Sequence, residues 1–409
     1  MQFRKLLFAR SPNNMSVVRL QCQSDTGLSV SGNLIACPRS AGDGQGGVVV
    51  ERFQIHVPDG VLDDLRARLR RTRWPNQVPS IGWKQGTELE WLRRLVSYWA
   101  DEFDWHAWER KLNALDHFTW EGIHFVHRRA VSGRGVPLIL THGWPSSFLD
   151  YMEMLPMLED FDVLVPSLPG YGFSPRPLEV GINYRYVSER WHGLMTALGY
   201  SRYAAGGTDF GAGVTTFLAL DHPESVIGIY ITSLESDLAP NVDDAKLSEA
   251  DRSFLAVNRG WDATERGYSA IQSTKPQTVG YGLNDSPAGL AAYLGEKWHS
   301  WSDDTPPEEF LCATLTLYWV TQTITTSMRD YWDNRWHPVK PSYVGTPTAF
   351  GVFAHQTVPE GEPPRSYLER MYNIQRWTVF PHGGHFAPVE EPAAVAGDLT
   401  AFFRSLSSR

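Results

Sequence analysis

The stretch GGTDFGAG, Gly206 to Gly213, follows one apolar run and opens another of helical period. Its centre, Gly207-Thr208-Asp209-Phe210-Gly211, fits the nucleophile-elbow pattern GxSxG with aspartate in the serine position. A sharp strand-to-helix turn tolerates only small neighbours. It lifts the central side chain above a sheet and aims the next backbone N–H into the same space. Aspartate at a strand-to-helix junction is also a common helix N-cap, so the motif acquires meaning only from the segments that accompany it.

Two segments do. THGWP, Thr141 to Pro145, directly follows the strand-like VPLIL; a loop in that place supplies a second oxyanion-hole N–H, here that of Trp144, beside the first from Phe210. His142 precedes the nucleophile and reads as a structural residue of the loop. PHGGHFAPVEEP, Pro381 to Pro392, sets His385 on a glycine-rich loop after a late strand. The order Asp209 then His385 is that of nucleophile and base in α/β-hydrolases.

The surrounding pattern agrees. From Phe118 onward, FTWEGIHFVH, VPLILTHG, FDVLVPSLPGYG, YAAGGTD and VIGIYIT read as strands, with a helix from Tyr184 to Leu198 ended by Gly199. Such alternation predicts a doubly wound, mostly parallel sheet with helices on both faces. A long stretch of helices and loops then runs to about Val339, where a lid would sit, before PTAFGVF, WTVFPHG and a helix through Phe402 complete the core. Ahead of the sheet, PDGVLDDLRARLRRTRW carries Val61, Leu62, Leu65 and Leu69 on one helical face, stopped by Pro75; a second helix opens with Thr87 and Glu90 as a capping box. Five segments result: a flexible extension over 1–47 ending in AGDGQGG, an N-terminal segment over 48–117, core over 118–235, helical lid over 236–340 and core again over 341–409.

Composition limits the partners. A formal net charge of -9 and no basic patch exclude nucleic acid and anionic membrane surfaces. The first 14 residues hold only a four-residue apolar run, Leu6 to Ala9, too short for a signal or a membrane anchor. Cys22, Cys37 and Cys312 are isolated and indicate a reducing, cytoplasmic setting without a metal cluster. The 12% of aromatic residues would suit a pocket for bulky apolar molecules or simply core packing. The oligomeric state, a homodimer included, stays open.

An aspartate nucleophile selects its electrophile. Attack on an ester yields only an anhydride, whereas attack at the sp³ carbon of an epoxide or alkyl halide yields an ordinary alkyl ester, which water can cleave with a histidine base and an oxyanion hole. An epoxide oxygen leaving as alkoxide calls for O–H donors, and a halide for indole or amide N–H groups. Tyr268 in ERGYSAIQSTKP and Tyr331 in SMRDYWDN stand within the lid segment.

At this point the chain resembles the microsomal-type, or juvenile-hormone-type, epoxide hydrolases. The likeness runs from about Phe53 to the C-terminus through FQIHVPDGVLDDLRARLRRTRWP, WKQGTELEWLRRLVSYW, HGWPSSF, PSLPGYGFSP, STKPQTVGYGLNDSPAGLAAYLGEKW, LYWVTQTITTSMRDYW and RWTVFPHGGHFAPVEEP. It implies an α/β-hydrolase fold with a helical lid and an N-terminal meander, and opening of an apolar epoxide, such as one of an aromatic hydrocarbon or secondary metabolite, to a vicinal diol without metal or organic cofactor. By the same resemblance the nucleophile falls on Asp209, the base on His385, the epoxide-activating tyrosines on Tyr268 and Tyr331, and the oxyanion hole on Trp144 and Phe210.

Two positions depart from the family pattern. Phe210 stands where the family usually has Trp, and Gln356 in GVFAHQTVPEGEPP where it has the acidic partner of the histidine. Gln356 can accept a hydrogen bond from the imidazole but brings no charge to stabilise the imidazolium. Slow or adapted hydrolysis, a displaced acid at Glu235, Glu360 or Glu362, and a changed reaction, such as that of a cyclase-like or ligand-binding member, are the three ways to read this. A haloalkane dehalogenase is the alternative enzyme.

Overall fold

In the computed structural model of the chain, the described residues are 34–35, 49–234, 244–356 and 363–407. Glu235, Glu360 and Glu362 lie outside them.

The apolar runs form a ten-stranded sheet: β1 (Leu34–Ile35), β2 (Val50–Phe53), β3 (His117–Trp120), β4 (Ile123–Arg128), β5 (Val136–Thr141), β6 (Phe161–Pro166), β7 (Tyr203–Gly207), β8 (Val226–Ile231), β9 (Val344–Phe353) and β10 (Tyr372–Phe380). Their order is β1-β2-β3-β4-β6-β5-β7-β8-β9-β10. Strands from β5 to β10 pair in parallel, and the β1–β4 flank is antiparallel. Strands β6 and β7 are buried at every position, as strands covered by helices on both faces must be.

FTWEGIHFVH folds as a hairpin rather than one strand. Glu121 and Gly122, both at positive φ, turn β3 into β4. Leu34–Ile35, within the stretch expected to be a flexible extension, pair with β2 as the sheet's edge.

Helices α1 (Asp59–Arg70), α2 (Leu89–Asp101) and α3 (Trp105–Asn113) follow β2. Helix α1 buries Leu62, Leu65 and Leu69, as the spacing predicts, but ends at Arg70, short of Pro75. Glu88, not Thr87, caps α2: its carboxylate accepts from Trp91 N at 2.6 Å, while the Thr87 hydroxyl donates to Ala292 O at 2.6 Å. The capping-box spacing is therefore spent on a tertiary contact.

Helices α4 (Tyr184–Ala197) and α5 (Phe210–Asp221) cover the sheet. Between β8 and β9 come the lid helices α6 (Glu249–Glu265), α7 (Gly267–Gln272), α8 (Pro276–Asp285), α9 (Pro287–Trp301), α10 (Glu308–Thr321) and α11 (Ile324–Trp336). Helices α12 (Arg365–Leu368), α13 (Ala387–Glu390) and α14 (Pro392–Ser407) complete the chain. The N-terminal helices strap the lid down: Trp99 Nε1 donates to Thr316 Oγ1 at 2.8 Å, Trp108 Nε1 to Glu309 Oε1 at 2.9 Å and Arg68 Nη1 to Asp285 Oδ1 at 2.7 Å.

Register places the site. Thr141 lies opposite Gly207, Gly207 opposite Ile231, Ile231 opposite Phe350, and Phe353 opposite Phe380. The loops carrying Trp144, Asp209, Ser233, Gln356 and His385 thus leave the same edge of the sheet, the carboxyl end, where doubly wound folds bind their ligands.

Helix α5 seats against β7 because the glycines of the elbow leave no room for more. A Cβ on Gly207 would stand 2.1 Å from Gly211 O, and one on Gly211 would stand 2.0 Å from Thr141 O. Gly207→Ala is expected to lower unfolding stability by about 1–3 kcal/mol, read from the midpoint of urea denaturation. An unchanged midpoint would mean that α5 can back away from β7 at no cost.

Candidate active site

Asp209 caps α5 from φ 56° and ψ -127°, a conformation rarely held by a residue with a side chain. Strain of this kind costs about 1–3 kcal/mol and persists only where the surroundings enforce it. Here Asp209 N donates to Ser233 O at 3.1 Å and Gly211 N to Thr208 O at 2.8 Å. The residue is 3% exposed. Its Oδ1 accepts from Trp144 N at 2.9 Å and Phe210 N at 2.7 Å. Gly143 makes the first of these contacts possible, since a Cβ there would stand 2.3 Å from Asp209 Oδ1.

The second carboxylate oxygen faces the histidine, with His385 Nε2 at 3.3 Å from Asp209 Oδ2. The two oxygens are thus divided between two environments, one between backbone donors and one before an imidazole. The His385 loop is braced from below, because His385 N donates to Trp301 O at 2.8 Å. Glu390 accepts from Asp303 N at 2.6 Å, Gly384 N at 3.0 Å and Phe386 N at 2.9 Å. Burial raises the Glu390 carboxyl above its ordinary range against the pull of these donors. Sequence reading passed over Glu390, whose only signal was its place five residues after His385 in the same phrase.

Lid tyrosines close the space above. Tyr268 stacks on Trp144 with ring centroids 5.5 Å apart and 6° between planes, and Tyr331 meets Trp144 edge-on at 5.7 Å. The two tyrosine rings lie 5.8 Å apart, and Tyr331 packs on Phe210 at 4.8 Å. Trp301 bridges Tyr268, at 5.3 Å, and His385, at 5.0 Å. The structure therefore gathers Asp209, His385, Tyr268, Tyr331, Trp144 and Phe210 into one aromatic-walled chamber. A cavity of about 270 Å³ borders Phe210 and Tyr331, with Arg266, Arg335 and Lys340 also in its wall.

Lys297 is a further residue that sequence reading did not single out. It is buried on α9, with its ammonium 4.5 Å from the Tyr268 ring centroid and 5.5 Å from that of Trp301, paired to Glu296 at 2.5 Å. Two buried acids flank the chamber. Burial pushes Asp150 up to about 7, with the nearby Ser146 and Ser147 donors and the charge of Asp209 as smaller influences. Burial likewise raises Asp330, next to Tyr331, well above the carboxylate range, opposed by a hydrogen bond from Tyr171. His142 is structural, as expected: its Nδ1 faces Gly143 O at 3.0 Å, its Nε2 accepts from Leu168 N at 3.2 Å, and burial lowers its pKa to about 4.

Gln356, three residues beyond the end of β9, is 7% exposed, and its amide oxygen and nitrogen have no hydrogen-bond partner among the described residues. The hydrogen bond that Gln356 could accept from His385 is thus not made. Ser233 Oγ instead lies 3.4 Å from His385 Nδ1. Its position two residues after β8 carried no motif, which is why the sequence did not reveal it.

Comparisons with known proteins show the kinship of the chain. A family model described as epoxide hydrolase N terminus matches residues 50–151, and one for the alpha/beta hydrolase fold matches residues 136–279. The chain is 30% identical to juvenile hormone epoxide hydrolase 2 of Ctenocephalides felis, over 85% of this chain and 84% of that one. It is also 30% identical to epoxide hydrolase 1 of Sus scrofa, over 88% of this chain and 90% of that one. The solved structure of Aspergillus niger epoxide hydrolase superposes with a TM-score of 0.77 at 29% identity, covering 87% of this chain and 96% of that one. Fold, site and kinship together place the chain in the microsomal-type family of epoxide hydrolases, enzymes of the α/β-hydrolase fold.

Proposed function

We propose that the enzyme opens bulky apolar epoxides to vicinal diols through an ester on Asp209. The division of the Asp209 carboxylate carries this reading: Oδ1 is held by two backbone N–H groups and Oδ2 stands before His385. In the first step a carboxylate oxygen attacks an epoxide carbon, the ring C–O bond breaks, and Tyr268 and Tyr331 supply hydrogen bonds and a proton to the departing oxygen. In the second, His385 takes a proton from water as the water oxygen adds to the Asp209 carbonyl. The resulting oxyanion lies between the N–H groups of Trp144 and Phe210; collapse breaks the bond from the Asp209 carbonyl carbon to the alkyl oxygen, which takes a proton from the His385 imidazolium, and the proton left on Asp209 returns to the tyrosinate. The aromatic walls of Trp144, Tyr268, Tyr331, Phe210 and Trp301 support an apolar substrate.

No helix among the described residues is long and apolar enough to cross a membrane. The cytoplasm is taken as the site of action on the separate ground of the isolated cysteines.

The missing charge at Gln356 bears on the second step alone. Ester formation uses Asp209 and the tyrosines, whereas ester hydrolysis needs an imidazolium whose usual carboxylate partner is replaced by an amide. In a serine protease triad the loss of that carboxylate charge costs about 10⁴ in kcat, which makes hydrolysis of the ester the slow step here.

A single turnover of styrene oxide in ¹⁸O-water is expected to leave label in the peptide carrying Asp209, detected by mass spectrometry, and Asp209→Asn to abolish turnover. Label in the diol alone would mean direct attack by water and would overturn the ester route. Tyr268→Phe and Tyr331→Phe are each expected to slow ester formation by about 10²-fold, the scale of a general acid, in rapid-quench measurements; ester formation at the wild-type rate in both would remove the tyrosines from the mechanism. Gln356→Glu is expected to raise steady-state kcat at least about tenfold while leaving the rate of ester formation unchanged. An unaltered kcat would place the supporting acid elsewhere.

A further inference from the structure

Outside the chamber, three exposed side chains converge from three separate segments. Asp303 follows α9 at the end of the lid's central helix, His355 stands two residues beyond β9 and next to Gln356, and His382 stands two residues beyond β10 and three before His385. Each offers one ligand atom, and these atoms all lie within 4.8 Å of one another. We propose that Asp303, His355 and His382 bind a divalent transition-metal ion of the zinc type, clamping the end of the lid to the loops that carry Gln356 and His385.

The backbone already fixes this arrangement. His355 N donates to Gly383 O at 3.3 Å, and Gly383 N donates to Asp303 Oδ2 at 3.1 Å. Asp303 N is held by Glu390 at 2.6 Å. With Oδ2 occupied by a backbone donor, Asp303 presents Oδ1, which lies 3.5 Å from His355 Nδ1. A ligand carboxylate whose second oxygen is anchored by a hydrogen bond is the support that metal sites commonly use. The imidazoles of His355 and His382 lie parallel, 6° apart in plane, with centroids at 6.2 Å.

Ligand chemistry selects the ion. Zinc bonds of about 2.0–2.2 Å to nitrogen and oxygen place ligand atoms of a tetrahedron about 3.3 Å apart. The Asp303–His355 pair is close to that separation, and rotation of the exposed His382 side chain closes the rest. Two imidazoles and one carboxylate suit zinc and its neighbours, whereas magnesium and calcium prefer all-oxygen shells. Three protein ligands leave a fourth position for water. The site is distinct from the reacting atoms, since His385 directs Nε2 to Asp209.

Untagged protein freed of metal with a chelator is titrated with ZnCl₂ against a chromophoric competitor. One equivalent is expected to bind and to raise the melting temperature by a few degrees at saturating zinc, with slowed amide exchange over residues 381–386. His355→Ala and His382→Ala, both surface changes, are each expected to weaken binding at least tenfold and to leave metal-free epoxide turnover intact, while His385→Ala retains the ion. Absence of stoichiometric binding at millimolar zinc, binding that survives both surface variants, or binding lost in His385→Ala would overturn the proposal. MgCl₂ in place of ZnCl₂ is expected to have none of these effects, and equal effects would overturn the choice of ion.

Discussion

The close seating of α5 against the end of β7 is the constraint on which the rest of the site depends. Because Gly207 and Gly211 lack side chains, the helix begins immediately after the strand, and Asp209 is forced to positive φ at the junction. That conformation directs its carboxylate away from the sheet, and the N–H of Phe210 turns with it. Gly143 then lets the neighbouring loop approach until Trp144 N reaches the same oxygen. Three absent side chains thus create one anion-binding position, whose backbone donors are fixed before any substrate arrives.

The chamber needs a roof, and the roof needs a tie. Tyr268 and Tyr331 come from α7 and α11, and their rings meet each other and Trp144 on the core. The N-terminal helices hold the lid through polar contacts from buried or partly buried indoles to α10 and from Arg68 to the end of α8. This accounts for a segment that ends more than 150 residues before the first lid tyrosine being part of the same working unit: it holds down the helices beside those that carry the tyrosine rings.

Burial around the chamber sets Asp209 apart from the neighbouring carboxyl groups. Asp150 and Asp330 are driven toward the neutral acid by burial, so neither adds a full negative charge beside Asp209 at neutral pH or below. Lys297, over the face of Tyr268, is a cation set beside a phenol, a placement that favours negative charge developing on its oxygen. The hydroxyl of Ser233 is the group found near His385 Nδ1, while the buried amide of Gln356 has no hydrogen-bond partner among the described residues.

The sequence by itself determined the strand and helix alternation, the elbow at Asp209, the loop donor at Trp144 and the histidine on its glycine-rich turn. Each of these is local: glycines at fixed offsets and apolar runs of fixed period act through the backbone within a few residues. Local signals misled where a side chain had a distant partner, as when Thr87 bonded Ala292 across the molecule and left the capping of α2 to Glu88. Tyr268 and Tyr331 were legible only through resemblance, because many tyrosines share their local pattern. Ser233, Lys297, Glu390 and the meeting of Asp303, His355 and His382 were decided by the tertiary structure alone. They stand on strand ends and lid segments up to 160 residues apart in the chain, roughly, and only the register of the sheet and the docking of the lid bring them within reach of one another.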